Sequence, residues 1–327
     1  MVLPRVAVLS LGGTISATKS EGPGVTPTLT GVELVEMVPE ISDVAEVEAR
    51  QFRKVAGSDL SLEDVVSLVR EGEFHTDVAG VVVTQGTDSI EETAFALDLL
   101  VDGEAPVVVT GAMRNPTLPG GDGPANLLAA VQVAASEEAR GLGAVVVMND
   151  EIHAARFVRK AHTQNPAAFS SAPAGPIGYL YEGRPHVIVR PAGRHRIELP
   201  SDTGHRPVAL HKVSFGDDGR VLKEIERLGY EGLAVEAMGG GHVPANMVGI
   251  LEDLAGRMPV VLASRTGSGE VLTRTYSFPG SEMDLLGRGL IPAGFLEGLK
   301  ARILLSLLLG SGASREEIAE AFDSPFV

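Results

Sequence analysis

At 327 residues, with 44% hydrophobic and 21% charged residues, the chain has a globular balance and length for two domains or one large α/β domain, which excludes a disordered segment. Its 43 acidic and 27 basic residues give a formal net charge of −16, which disfavours nucleic acid and anionic membrane surfaces as partners. With no cysteine there is no disulfide framework, thiol nucleophile or cysteine metal site.

The opening MVLPRVAVLSLGGT reads as a first strand over residues 6–11 rather than a signal peptide, because its apolar segment is short and runs straight into Gly-Gly. No run approaches ~18 apolar residues, so no transmembrane helix is expected and a soluble cytoplasmic protein is the default. Further apolar runs at 80–83, 106–109 and 144–148 are Val-rich and do not alternate, as in parallel strands buried on both faces. Helical spacing separates them at 61–70, 89–100 and 125–135. The alternation of strand and helix predicts a doubly wound, mostly parallel sheet.

After Ser171 the chain becomes rich in Pro, Gly, Arg and His, with short antiparallel strands expected at 177–181 and 186–190. Residues 191–206 read as a linker. Alternation then restarts with strands at 208–214, 232–237 and 259–264 and helices at 221–228, 245–255, 293–309 and 314–322. The fold class expected is therefore α/β in two domains: a larger N-terminal domain over 1–190 and a smaller parallel-sheet domain over 207–327.

Ligands of open α/β sheets bind beyond the carboxyl ends of the strands. Three such loops stand out: LGGT at 11–14, TQGTDS at 84–89 and TGAMR at 110–114. Read singly, each has a structural explanation. Thr14 suits a turn or cap, and Asp88 with Glu91 has the D-x-x-E spacing of a capping box opening the next helix. LSLGGTISA lacks G-x-G-x-x-G, and no G-x-x-x-x-G-K-[ST] occurs, which argues against a nicotinamide-binding oxidoreductase and a P-loop. Lys160 alone reads as a surface lysine, and His242 as a loop histidine bonded to backbone. His153 and His162 stand nine residues apart without the H-E-x-x-H of zinc proteases, so no metal site is expected.

Taken together, LGGTIS, VVVTQGTDSIEETA, TGAMR, GDGPANLLAAV, VVVMNDEIHAARFVRKAHT, GGGHVP and KARILLSLLL resemble, in the same order, the blocks of the bacterial-type L-asparaginases, amidohydrolases that convert asparagine to aspartate and ammonia. The resemblance spans essentially the whole chain. It implies Thr14 as nucleophile, with Thr87, Asp88 and Lys160 as a second polar group in which Lys160 helps to deprotonate Thr87. It also implies that Ser58 holds the substrate α-carboxylate and that Asp88 and Glu282 bind its α-ammonium. Glu282 is expected to come from a neighbouring subunit, in an intimate dimer within a homotetramer. No cofactor is implied. The residue types suit the chemistry: a threonine hydroxyl near pH 7 needs a base or desolvated lysine within hydrogen-bond reach, and the oxyanion formed on attack needs preorganised N–H donors.

Several positions depart from the family pattern. The lid SATKSEGPGVTPTLTG has no tyrosine, with Val25 near where one belongs. Tyr276, six residues before Glu282, is a candidate for the missing relay hydroxyl, and Thr26 or Thr28 of the lid competes with it. Gln85 replaces the usual histidine of HGTD. Asp59 follows Ser58 directly where the family often has Gln-Asp, which shortens that loop. GGGH replaces GNGN, making His242 a candidate ligand from the second subunit. Asp59, Gln85 and His242 therefore join Ser58 and Glu282 as candidate substrate-binding residues. The alternatives left open are a glutaminase, a hydrolase of another acidic-metabolite amide, and a non-catalytic amino-acid-binding relative.

Overall fold

The structure is a computed structural model; it describes residues 2–19, 24–71, 74, 77–201 and 204–324, so that lid residues 20–23 lie outside it. The chain divides into two compact units, Met1–Arg196 and Ile197–Val327.

The first unit runs β1 (Arg5–Gly12), β2 (Ala17–Lys19), β3 (Val25–Pro27), α1 (Gly31–Glu36), β4 (Glu46–Val55), α2 (Leu62–Glu71), β5 (Gly80–Thr84) and α3 (Ile90–Leu100). It continues through β6 (Val107–Thr110), α4 (Gly123–Ala134), β7 (Ala144–Met148), β8 (Glu151–Ala154), β9 (Arg159–Lys160), β10 (Phe169–Ser170), β11 (Gly178–Tyr181) and β12 (Arg184–Val187). Eight strands form one sheet in the order β12-β11-β8-β7-β6-β5-β1-β4. Strands β4, β1, β5, β6 and β7 are parallel, and β8, β11 and β12 extend the sheet antiparallel.

Every residue of β5, β6 and β7 is buried, because helices cover both faces. Val6, Val8, Val82, Val108 and Val145 share a core with α4 and α1, while α3 packs on the other face. The chain leaves β1 for β4 on one side and then crosses to β5 on the other. This reversal at β1 opens a crevice beyond the carboxyl ends of β4, β1 and β5. The start of the expected linker is tied to the first unit, where Arg194 reaches the buried Asp98 at 3.3 Å.

The second unit contains β13 (Val208–Lys212), β14 (Gly232–Ala237), α5 (Val248–Ala255), β15 (Val260–Ser264), α6 (Glu282–Gly287), β16 (Ile291–Pro292), α7 (Gly298–Ser311) and α8 (Arg315–Asp323). Its four strands are parallel in the order β13-β14-β15-β16. Leu233, Val235 and Leu262 pack with Leu251 and Leu254 of α5, and α7 also packs on β13, β14 and β15. The helix expected at 221–228 is not there. Only a three-residue 3₁₀ turn forms at Leu222–Glu224, between Gly219 and Gly229, both with positive φ. So short a segment, stopped at both ends, does not offset the cost of helix nucleation.

Candidate active site

Three glycines build the crevice. Gly13 follows β1 with φ 84°, a conformation that suits glycine. A Cβ on Gly13 would lie 2.0 Å from Gly86 N, and one on Gly86 would lie 2.7 Å from both Gly57 N and Gly57 Cα. The three loop backbones therefore touch directly, with room for no side chain between them. Each glycine is followed by a candidate hydroxyl, so the contact gathers Thr14, Ser58 and Thr87 at the switch point. The Gly13 N–H donates to the Val55 carbonyl at the end of β4 (3.0 Å), which further ties the first loop to the Ser58 loop.

Thr14 opens a 3₁₀ turn, Thr14–Ser16, held by the Ser16 hydroxyl on the Gly13 carbonyl (2.9 Å). Its own hydroxyl makes no hydrogen bond among the described residues. Ser58 and Asp59 are exposed in the turn Gly57–Asp59. Thr87 is buried at the start of the turn Thr87–Ser89 that leads into α3, where the first N–H groups of a helical segment lack intrahelical partners.

Lys160 crosses from β9 to the second threonine. Its Nζ donates to Thr87 Oγ1 at 2.9 Å and to Asp88 Oδ1 at 2.6 Å. The lysine side chain is 14% exposed and that of Asp88 is 69% exposed, so the pair joins a buried hydroxyl to a wet carboxylate. A cleft of about 330 Å³ opens beside them, lined by Asp88, Lys160, Ala161, His162 and Thr163. The capping box expected of Asp88 and Glu91 does not form. The N-cap of α3 is Ser89, without a side-chain cap bond, and Glu91 Oε2 accepts the Lys160 N–H at 3.1 Å instead. The same D-x-x-E spacing thus holds Lys160 at both ends, side chain and backbone.

The third loop read from the sequence is structural. The Thr110 hydroxyl donates to the Val147 carbonyl (2.7 Å), and the N–H groups of Met113 and Arg114 are taken by Asp122. Its place at the crevice belongs to the loop after β4. Gln85 is fully buried; its Nε2 donates to the Gly86 carbonyl (3.3 Å) and to Ser89 Oγ (3.2 Å), and the Ser89 hydroxyl donates to the Gly57 carbonyl (2.8 Å). Ser89 has no role legible in the sequence, and Glu91 reads there only as a cap, because their partners lie 32 and 69 residues away.

In the lid, β2 and β3 pair as a hairpin that sets Thr18 opposite Thr26. Thr28 shares its hydroxyl with that of Thr18 at 2.6 Å. Thr26 is exposed and makes no side-chain hydrogen bond among the described residues.

The second unit holds His242, Tyr276 and Glu282 together. Glu282 opens α6 with no exposed surface; its Oε1 accepts the N–H groups of Thr275 (2.9 Å) and Tyr276 (2.7 Å), and its Oε2 lies 3.2 Å from His242 Nε2. Burial alone raises a carboxyl, but the N–H groups of Tyr276 and Thr275, with His242, outweigh it and hold Glu282 below its ordinary range. The carboxylate is thus closed within its own unit. His242 is the outward member, a quarter exposed, with Tyr276 and Phe278 edge-on at 5.0 and 5.1 Å. The spaced histidines have separate partners: His153 Nδ1 pairs with Ser171 Oγ at 2.9 Å, and His162 Nδ1 accepts the N–H groups of Gln164 and Asn165.

A doubly wound sheet whose switch point gathers two threonines, a lysine and a carboxylate defines an α/β protein with a polar hydroxyl, amine and carboxylate site. Residues 5–192 match the family described as Asparaginase, N-terminal, and residues 207–322 match the Glutaminase/Asparaginase C-terminal domain. The chain belongs to the asparaginase family. It is 34% identical to L-asparaginase 2 of Escherichia coli, covering 99% of this chain and 94% of that protein. It is 31% identical to the glutaminase-asparaginase of Pseudomonas fluorescens biotype A, covering 98% and 90%. Among solved structures, the probable cytoplasmic L-asparaginase from Campylobacter jejuni superimposes with a TM-score of 0.88 at 32% identity, covering 98% of this chain and 99% of that one.

Proposed function

We propose that the chain hydrolyses the side-chain amide of L-asparagine to aspartate and ammonia, with Thr14 as nucleophile and a covalent acyl-enzyme between the two steps. The observation that carries this reading is the Thr87–Lys160–Asp88 line, at 2.9 and 2.6 Å, on a loop whose glycine touches the backbone beside Thr14. The Thr14 hydroxyl adds to the amide carbonyl, its proton passes through the relay hydroxyl to the amide nitrogen, and an ester forms as the C–N bond breaks. The amide nitrogen, so protonated, leaves as ammonia. Water then cleaves the ester, releasing aspartate and restoring the hydroxyl. Lys160 takes the Thr87 proton as it passes one of its own to Asp88, which is largely exposed and is the outlet to solvent. N–H groups at the start of the Thr87 turn stabilise the oxyanion.

Ser58 and the Asp59 turn hold the α-carboxylate in this reading, and Asp88 holds the α-ammonium. His242 of a neighbouring copy, backed by Glu282, completes the pocket within an intimate dimer and homotetramer. Tyr276 supplies the relay hydroxyl, with Thr26 as competitor. Cytoplasmic residence belongs to the same proposal and is supported by the name of the Campylobacter jejuni relative; cell fractionation checks it.

The test is ammonia release from asparagine by the wild type and by Thr14→Ala. A fall in kcat/KM of about a thousandfold or more is expected, with the ester on Thr14 trapped by acid quench and seen by mass spectrometry. Asparagine binding without ammonia release would establish a binding protein instead. The second reading, glutamine as the preferred amide, is favoured by the description of the C-terminal domain and by the Pseudomonas fluorescens relative. The kcat/KM ratio for the two amides separates them.

A further inference from the structure

We infer that Gln85 and Ser89 form a positioning relay that holds the Ser58 loop in register with the second threonine loop, so that Gln85 shapes substrate binding without touching substrate. The inference rests on the reading of Ser58 as the holder of the α-carboxylate.

Gln85 is fully buried at the carboxyl end of β5, with its own N–H fixed to the Thr110 carbonyl at 3.1 Å. Its amide nitrogen donates to Ser89 Oγ at 3.2 Å, and that hydroxyl passes the chain on to the Gly57 carbonyl at 2.8 Å. The order of donors is fixed. Ser89 uses its only proton on Gly57, so it can only accept from Gln85, and the Gly86 carbonyl 3.3 Å from the same nitrogen admits only a donor. The cost of this orientation is visible in Gln85 Oε1, which is buried without a hydrogen-bond partner among the described residues. What the side chain contributes here is therefore its donor half. Gly57 is joined directly to Ser58, and its backbone already presses on Gly86. The glycine contact sets how close the two loops come. The relay, directional and off to one side, fixes how the Gly57–Asp59 turn is rotated about that contact.

A rotation of this turn moves Ser58 while leaving the Thr87–Lys160 contact in place. Loss of the relay should therefore weaken the ground state and transition state alike, raising KM with kcat preserved. Gln85→Met, of similar volume without hydrogen bonds, and Ser89→Ala break the relay at different links; Ser89→Thr keeps the hydroxyl.

The measurement is steady-state kinetics on asparagine with aspartate as product inhibitor. Gln85→Met and Ser89→Ala are each expected to raise KM and the aspartate inhibition constant by about tenfold, with kcat within about threefold of wild type, and Ser89→Thr to return both constants to near wild type. A purely structural role would lower Tm and leave KM alone, and that outcome overturns the inference, as does an equal fall in kcat. Where Gln85→Met fails to fold, Ser89→Ala decides, because Ser89 is only partly buried. Ser58→Ala separates the two levels. A raised KM there with unmoved relay variants refutes the relay alone; an unmoved KM for Ser58→Ala removes the reading beneath it and the relay with it.

Discussion

A lysine can take the Thr87 proton only after giving up one of its own, and arginine cannot do so at any working pH. Lys160→Arg keeps the positive charge beside Asp88 and donors toward Thr87 while removing the base. It is expected to lower kcat by about 10²–10⁴-fold with a modest change in KM. Wild-type kcat in this variant would show that Lys160 acts as a fixed charge only. The relay hydroxyl is decided in the same way. Tyr276 is half-exposed, with its ring edge-on to His242, and Thr26 is exposed on the lid hairpin. Tyr276→Phe is expected to reduce kcat by about a hundredfold or more and Thr26→Val to leave it unchanged; the opposite pattern assigns the role to the lid.

At the scale of elements, the site is a product of three turns that cannot separate, and this can be tested with one methyl group. Gly86→Ala would put a carbon 2.7 Å from the backbone of Gly57. The loops must part, at about 1–3 kcal/mol of stability, and a displacement near 1 Å costs about 10²-fold in kcat. Urea unfolding and kinetics on the same sample check both; a soluble variant with unchanged activity would mean that the glycine contact does not set the geometry. This contact also marks the limit of what the sequence disclosed. The strands β5, β6 and β7 were legible because burial on both faces leaves an apolar signature that needs no partner to read. Strand β4, EVEARQFRKV, was not, because an edge strand alternates exposed charges and carries no apolar run. With no apolar run to mark β4, residue spacing points to the Thr110 loop as third wall of the crevice, and Ser58 is identifiable only through resemblance. Likewise Asp88 and Glu91 had the right spacing for a cap, but local spacing cannot reveal a lysine arriving from 69 and 72 residues away.

For the whole molecule, stability and assembly give the two remaining predictions. His153 is 1% exposed, and burial lowers its pKa from 6.5 to about 4. Its Nε2 lies 3.3 Å from Glu151 Oε2 without hydrogen-bond geometry, and burial outweighs that carboxylate in setting the direction of the shift. The unfolded chain binds that proton first as pH falls. Stability from this group is therefore complete above pH 6.5 and is lost progressively down to about pH 4, about 3 kcal/mol in all. Burial raises the Glu151 carboxyl, which acts in the opposite sense at the acid end of this range. Urea midpoints between pH 7.5 and 5 should fall in the wild type and fall less steeply in His153→Asn, where His195, whose pKa burial also lowers, leaves a remaining slope; parallel slopes would remove His153 as the cause. Assembly is tested by mixing. In the proposed dimer His242 completes a neighbouring copy's site while Thr14 serves its own chain's site, so the two lesions fall on different sites of a mixed dimer. Thr14→Ala and His242→Ala are each expected to be weak below KM, yet after dissociation and random reassembly about a quarter of the sites should be intact, because half the symmetric dimers are mixed and each holds one site with neither lesion. Activity that stays at the sum of the separate proteins, in a mixture whose exchange is verified by mass, would place His242 in the service of its own chain or of no site at all.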